Sequence, residues 1–417
     1  MKLNHIFLDF NAFFASCEQH LRPELRGRPL GIVTMPVDTA CCIAVSYEAK
    51  AFGVKTGTLV REARRLCPGI VLVEARPPEY VRLHNDLVEI VERQMHVEKI
   101  HSIDEVSCRL TGRWREKEAA RALAGEIKAA IRREMGPQLR CSIGIAPNLF
   151  LAKTGSDMQK PDGLVVLDAA EWPEALSGLK LRDLCGIGPQ MEARLRSFGL
   201  TTVAQLLEAD RARLRVVWGS VEGERFWEKL HGTDWTEPES RKTCIGHSHV
   251  LPPALRDEPR ALAVLHRLLQ KAAARLRAQG YFAGELGVSV QRLQAPAWAD
   301  SAGLDPTQDT VELAAALDRL WARRVPMPPG ARPLLVAVTL TRLEHGRDHT
   351  PSLFQVEARR RVGLMQAVDG LNRMYGSGAV YWAGAHEARQ AAPLRIAFNR
   401  VPSLTLEKET GWGGSPR

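Results

Sequence analysis

The stretch "IHSIDEVSCRL" (100–110) sets two acids, Asp104 and Glu105, side by side after an isoleucine. Its apolar and polar residues alternate as in a strand. Acids are rarely placed deep in a fold unless a cation meets them. A third acid follows the same rule far upstream. "HIFLDF" (5–10) is a short apolar run that reads as a buried strand, and it carries Asp9 near its end. Strand neighbours can bring such distant acids together. Three carboxylates on adjacent strands make a hard oxygen cage suited to Mg²⁺. Two such ions, ~3.5–4 Å apart, stabilise both the attacking and the leaving oxygen of a phosphoryl transfer. Taken singly, each acid reads equally as a strand-end turn residue or half of an ion pair. The rest of the chain decides between these readings.

Basic and phenolic residues follow the first acid. In "AVSYEAKAFGVKTG" (44–57), Tyr47 and Lys50 stand three apart, on one helical face. A phenol can donate a hydrogen bond to a triphosphate and an ammonium can neutralise it. "SDMQKPDG" (156–163) adds Lys160 just before a helix-stopping proline, where it can reach back into a cleft. A solvated basic helix and a helix-end lysine facing the dipole are the plain alternatives.

With 417 residues the chain holds two to four domains, and its net charge of +9 favours a polyanionic partner such as nucleic acid. "MKLNHIFLDF" is too short an apolar run for a signal peptide, and no stretch approaches the ~20 apolar residues of a membrane helix. The eight cysteines include no C-x-x-C pair, so a zinc site is not expected; they read as reduced, mostly buried thiols of a cytoplasmic protein. Helical spacing marks 81–95, with Leu83, Leu87, Ile90, Val91 and Met95, and 116–136, which ends at Gly136 and Pro137. "CSIGIA" (141–146) reads as a strand and 148–160 as a helix. Residues 170–232 are helical with short loops, and "TEPESRKT" (236–243) is a linker. Strands and two helices then mix over 243–345. The fold class is α+β and multidomain.

Two segments read as nucleic-acid contacts. "GIGPQMEARLRSFGL" (186–200) places Gly186 and Gly188 before an apolar helix with Leu195 and Gly199, the helix-hairpin-helix spacing that grips a DNA backbone. In "PRALAVLHRLLQKAAARLRAQG" (259–280), Arg267, Lys271 and Arg275 recur every four residues opposite a leucine face. That row follows phosphates at helical pitch, or is a solvated face.

Together the motifs resemble the Y-family, or translesion, DNA polymerases over nearly the whole chain. They are "DFNAFFASCE" (9–18), "SYEAKAFGVKTG" (46–57), "SIDE" (102–105), "CSIGIAPNLFLAK" (141–153), "DMQKP" (157–161) and "GIGPQMEARL" (186–195). Asn11, Lys50, "DPTQDT" (305–310) and "LMQAVDGLN…GSGAVYWAG" are most similar to the UmuC type, the catalytic subunit of bacterial DNA polymerase V. The resemblance implies a right-hand architecture: palm at 1–10 and 76–166, fingers at 11–75, thumb at 167–232, little finger at 243–345 and a UmuC-like C-terminal region at 346–417. It implies two Mg²⁺ ions on Asp9, Asp104, Glu105 and the Phe10 backbone. Phe10, Tyr47, Lys50 and Lys160 would meet the dNTP, and Phe14 would be the steric gate against a ribose 2′-OH; Phe13 is expected in the core.

The expected activity is error-prone, template-directed DNA synthesis past lesions in DNA repair and the SOS response, on primer-template DNA. "PSLF" (351–354) resembles part of a sliding-clamp-binding peptide, so Ser352, Leu353 and Phe354 are the expected clamp contacts, without the leading glutamine. A UmuD-like subunit is the other implied partner, although the tail lacks the usual UmuC ending. Ser107 and Arg109 depart from the family pattern, where an aromatic and an acid are usual. The competing reading is a catalytically weak polymerase-like scaffold that recruits repair partners to damaged DNA. A palm-fold nucleotide cyclase is disfavoured by the thumb and little-finger segments.

Overall fold

The computed structural model describes residues 2–169, 171–234, 242–349, 356–376, 378–389, 391 and 401, with backbone alone at 356–360. Ser352, Leu353 and Phe354 and most of the linker lie outside the described residues. The chain divides into two compact units, one built mainly from residues 1–237 and one mainly from 238–395.

In the first unit the strands, in chain order, are β1 His5–Phe10, β2 Leu30–Val33, β3 Cys42–Val45, β4 Val71–Glu74, β5 Val97–Ile100, β6 Glu105–Arg109, β7 Cys141–Ala146 and β8 Leu164–Val166. The expected palm is a five-stranded sheet of order β5-β6-β1-β7-β8. All pairs are antiparallel except β7 with β8. β1 is its centre, and every residue of "HIFLDF" is buried, as a strand covered on both faces requires. Side chains alternate along it. Phe7 joins the core under the helix Leu149–Met158, so its alternate Asp9 lies on that face. The helix lies very close to β7: a Cβ on Gly144 would stand 1.9 Å from the Ala152 carbonyl oxygen. Any side chain there would lift the helix and what it carries away from the sheet. Helices Pro77–Glu92 and Lys117–Met135 bury Leu83, Leu87, Ile127 and Ile131, each worth about 1.5–3 kcal/mol.

A three-stranded sheet, β3-β2-β4, and the helix Phe13–Leu21 lie within residues 11–75. Short helices from Trp172 to Leu230 form the expected thumb, and Leu195, Leu206 and Leu214 share one core with Phe7 and Leu151.

In the second unit, β9 Ile245–Val250, β10 Tyr281–Leu293, β11 Ala295–Thr307 and β12 Arg332–His345 form an antiparallel sheet of order β11-β10-β12-β9. Helices Glu258–Ala278 and Thr310–Ala322 fill its core. A further helix, Val356–Tyr375, is fastened by the Arg277 guanidinium, which donates to the Asp369 carboxylate at 2.6 and 2.8 Å.

Two sequence expectations are corrected here. "IHSIDEVSCRL" is not one strand but a hairpin: β5 and β6 pair antiparallel around residues 101–104, so Asp104 sits in the turn. β11 pairs with β10 along its length, and its alternate residues Trp298, Ala302 and Leu304 pack on the core. The element before Gly186 is a short 3₁₀ turn, Leu181–Asp183, in place of a full helix.

Candidate active site

Register brings the three acids together. Asp9 of β1 lies opposite Glu105 of β6 and opposite Ser142 of β7. One residue on, the Phe10 N–H donates to the Asp104 carbonyl at 2.8 Å, which ties the acid-bearing turn to β1. Two further contacts shape that turn. Ser102 Oγ donates to the Asp104 carboxylate at 2.5 Å. From beneath, His84 Nδ1 meets the Ile103 carbonyl at 2.7 Å. A carbonyl only accepts, so this imidazole nitrogen carries the proton; burial holds His84 below its ordinary range and keeps it neutral.

The helix Leu149–Met158 and the loop after it supply the cations. Lys153 and Asp157, at i and i+4, share one face of the helix, and Lys160 follows in the loop. Lys160 Nζ stands 2.5 Å from Asp9 and 2.7 Å from Asp157. Lys153 Nζ bonds Glu105 and lies 4.9 Å from the centre of the Phe7 ring. Burial pushes Asp9 up to about 7, even though Lys160 works against that. Asp104 is also raised, by burial first and by the Glu105 charge, with the Ser102 hydrogen bond opposing. For Lys160, burial disfavours the charge, but Asp9 and Asp157 outweigh it and hold the ammonium above its ordinary range.

Asn11 explains how Lys160 is aimed. It is buried, and its amide donates to the Asp9 carbonyl at 3.2 Å and to Ser142 Oγ at 3.0 Å. Its Oδ1 accepts from the Asp162 N–H at 2.7 Å. Lys128 clamps the same loop through the Asp162 carboxylate at 2.8 Å. The loop that bears Lys160 is thus pinned at both sides of its turn.

Ser46 caps the helix Tyr47–Lys50 of the fingers. The Tyr47 hydroxyl is buried with no hydrogen-bond partner among the described residues. Such a group costs about 1–3 kcal/mol until a partner arrives. Lys50 Nζ lies 4.3 Å from the Tyr47 ring centre, and burial and then the Lys160 charge pull it below its ordinary range. Lysines that repel one another beside an unpaired hydroxyl describe a place for an anion.

Phe10 is buried, 6.0 Å from Phe13, which is also buried as expected. Phe14 is half-buried and stacked on Tyr80, with ring centres 4.5 Å apart. Tyr80 in turn donates to Glu18 at 2.8 Å, and Arg76 grips the same carboxylate at 2.9 and 2.7 Å. Gly186 has a left-handed φ of 90° and Gly188 caps the helix Pro189–Ser197. Arg267, Lys271 and Arg275 lie half-buried on their helix. A side chain at Gly378 would come within 3.6 Å of the Arg267 guanidinium, so the C-terminal segment flanks that row. The departure at Arg109 has a partner: Arg109 donates to Asp234 at 2.7 Å, and Asp234 also meets His5 at 2.8 Å. These contacts fasten the end of the thumb segment to the palm sheet.

The site residues that sequence reading missed are Lys153, Asp157, Asn11 as a clamp, and Tyr80. Only the first two left a signal, their spacing of seven and three residues before Lys160.

The donor set suits a hard divalent cation, being all oxygen and anionic, and the Lys160 and Lys153 ammonium groups stand against two of its members as counter-ions. Among the described residues no three His, Cys, Asp or Glu side chains stand ready as a cage; seating a metal requires Asp9 and Glu105 to exchange their lysines.

This constellation on a mixed palm-like sheet, in a chain that also folds a separate sheet unit, is that of a template-directed polymerase. Comparison with known proteins places it further. The impB/mucB/samB family matches residues 8–157, and its C-terminal domain matches 242–353. The chain is 33% identical over 385 residues to DNA polymerase IV of Moorella thermoacetica, covering 91% of this chain and 95% of that one. It is 31% identical to DNA polymerase IV 2 of Mesorhizobium japonicum, covering 92% and 95%. Among solved structures, a Y-family DNA polymerase chimera of Dbh and Dpo4 shares the fold with a TM-score of 0.66 at 24% identity, covering 82% of this chain and 99% of that one. DinB from Sulfolobus solfataricus gives a TM-score of 0.54 at 24% identity, covering 81% and 98%. The chain belongs to the impB/mucB/samB family and is a Y-family translesion DNA polymerase, homologous to DNA polymerase IV. Y-family polymerases depend on divalent metal in general. Among the described residues no helix is long and apolar enough to cross a membrane.

Proposed function

We propose that this chain extends a primer 3′-OH with dNTPs using two Mg²⁺ ions, Asp9, Asp104, Glu105 and the Phe10 backbone being the residues that would hold them. Bound there, the metals would lower the pKa of the attacking hydroxyl and take up charge on the leaving pyrophosphate. The protein's own groups do the rest. Lys160 and Lys50 neutralise the triphosphate, and the Tyr47 hydroxyl, without a partner among the described residues, donates a hydrogen bond to it. The flat Phe14–Tyr80 stack stands as a wall beside the sugar and excludes a 2′-OH. The 3′-OH gives its proton to solvent, its oxygen attacks the α-phosphorus in line, one P–O bond forms, the bond to the bridging α–β oxygen breaks, and pyrophosphate leaves.

The observation that carries this reading is the convergence of Asp9, Asp104 and Glu105 through strand register, with Lys160 aimed at them by Asn11. It also sets the scaffold alternative aside. Gly186 and Gly188 are read as DNA-backbone contacts, and Arg267, Lys271 and Arg275 as a weaker, half-covered row.

Of the finer types, the relatives compared carry the name DNA polymerase IV. The UmuC reading rests on Lys50, Asn11 and the C-terminal motifs, and Asn11 serves a structural clamp here. A DNA polymerase IV-like enzyme acting in the cytoplasm after DNA damage is therefore the preferred assignment. Clamp binding through Ser352, Leu353 and Phe354 remains an expectation from the sequence.

The test is primer extension with Mg²⁺ on a gapped template. Asp104→Ala should lower the rate by roughly 10³-fold, a barrier increase of about 4 kcal/mol. Equal extension by the variant would remove Asp104 from the chemistry. A purified chain that extends without a UmuD-like subunit supports the DNA polymerase IV type.

A further inference from the structure

Lys160 and Lys153 both meet the acids, yet the proposed chemistry gives a destination to only one. Lys160 leaves Asp9 and Asp157 for the triphosphate. Lys153 bonds Glu105, its side chain is 25% exposed, and it rises from a helix that Gly144 holds tight against the sheet. A metal cannot reach the oxygen that Lys153 occupies without moving the ammonium, because like charges in contact repel strongly. One turn further along the same helix stands Asp157, the i+4 position that suits an ion pair. Asp157 is now taken by Lys160 at 2.7 Å.

We propose that Lys153 is the resident counter-ion of Glu105 and the gate to its metal position, opened by a relay in which Lys160 leaves Asp157 and Lys153 takes its place. The inference rests on the nucleotidyl-transfer reading above and deepens it. The relay makes metal seating at Glu105 depend on where Lys160 is, and so on the nucleotide. It also keeps an acid pair neutralised while no metal is present.

The experiment titrates Mn²⁺ against the full-length protein without DNA or nucleotide, reading free Mn²⁺ by electron paramagnetic resonance. Lys153→Met should bind Mn²⁺ roughly tenfold more tightly than wild type, since a competing charge is gone. Lys153→Arg, which keeps the charge, should bind as wild type does. Asp157→Asn should weaken Mn²⁺ binding about threefold beside Lys160→Met, which frees the receiver without nucleotide, and leave it unchanged when Lys153→Met is added to that background. No gain in Lys153→Met, an equal gain in Lys153→Arg, or the same Asp157→Asn effect in both backgrounds would overturn the gate. Glu105→Gln separates this failure from a deeper one: if it binds Mn²⁺ as wild type does, the cation is not at these acids and the site reading itself fails.

Discussion

Asp9→Asn should stabilise the protein while destroying its activity. Asp9 is 7% exposed and its pKa stands at about 7, against an ordinary 3.8. The native state therefore binds more protons than the unfolded chain between these values, so stability falls as pH climbs from about 4 to about 7 and stays lost above. The difference of about 3 pH units corresponds to about 4 kcal/mol. Asparagine keeps the shape without the charge. Lys160 loses one partner but keeps Asp157 at 2.7 Å, so the gain is set lower, at about 2 kcal/mol. For a unit of this size that is roughly 4–8 °C in Tm. The assay is calorimetric melting in a chelator at pH 5 and pH 8, beside primer extension with Mg²⁺. The gain should shrink by more than half at pH 5, where wild-type Asp9 is mostly protonated. An unchanged or lower Tm at pH 8, or a gain equal at both pH values, would refute the claim that a buried anion awaits a cation here.

Two further outcomes follow from the nucleotide side. Phe14→Ala should raise the relative kcat/KM for ribonucleotides by about 10²-fold, since the wall against the 2′-OH is gone; unchanged sugar selectivity in single-nucleotide insertion would reject the gate. Tyr47→Phe removes a buried hydroxyl that has no partner among the described residues, so its Tm should hold or rise, while KM for dNTP should increase about tenfold. A fall in stability with KM unchanged would show that the hydroxyl serves the fold and not the triphosphate.

Much of the fold was legible because its signals are local. The buried run at 5–10, the helical spacing at 81–95 and 116–136, and the Gly-Ile-Gly before Pro189 each follow from a few neighbouring residues. β11 was hard to read, since Asp300 interrupts its inward row of Trp298, Ala302 and Leu304, and pairing with β10 completes the strand. The hairpin at 101–104 was hidden for the opposite reason. Apolar alternation runs straight through it, and the bend is set by Ser102 and by His84 from a distant helix.

The acids Asp9, Asp104 and Glu105, and the cations Tyr47's neighbour Lys50 and Lys160, were named by residue type and motif alone, because their chemistry is carried by single side chains. What these residues face was decided only by the folded chain. Lys153 met Glu105 because Gly144 admits a helix against the sheet; Asn11 became a clamp because β7 and the Asp162 loop close on it; Arg109 gained Asp234 from the far end of the thumb segment. Sequence specifies which charges exist. Pairing between them depends on distances that register, close packing and burial create, and no local pattern encodes those.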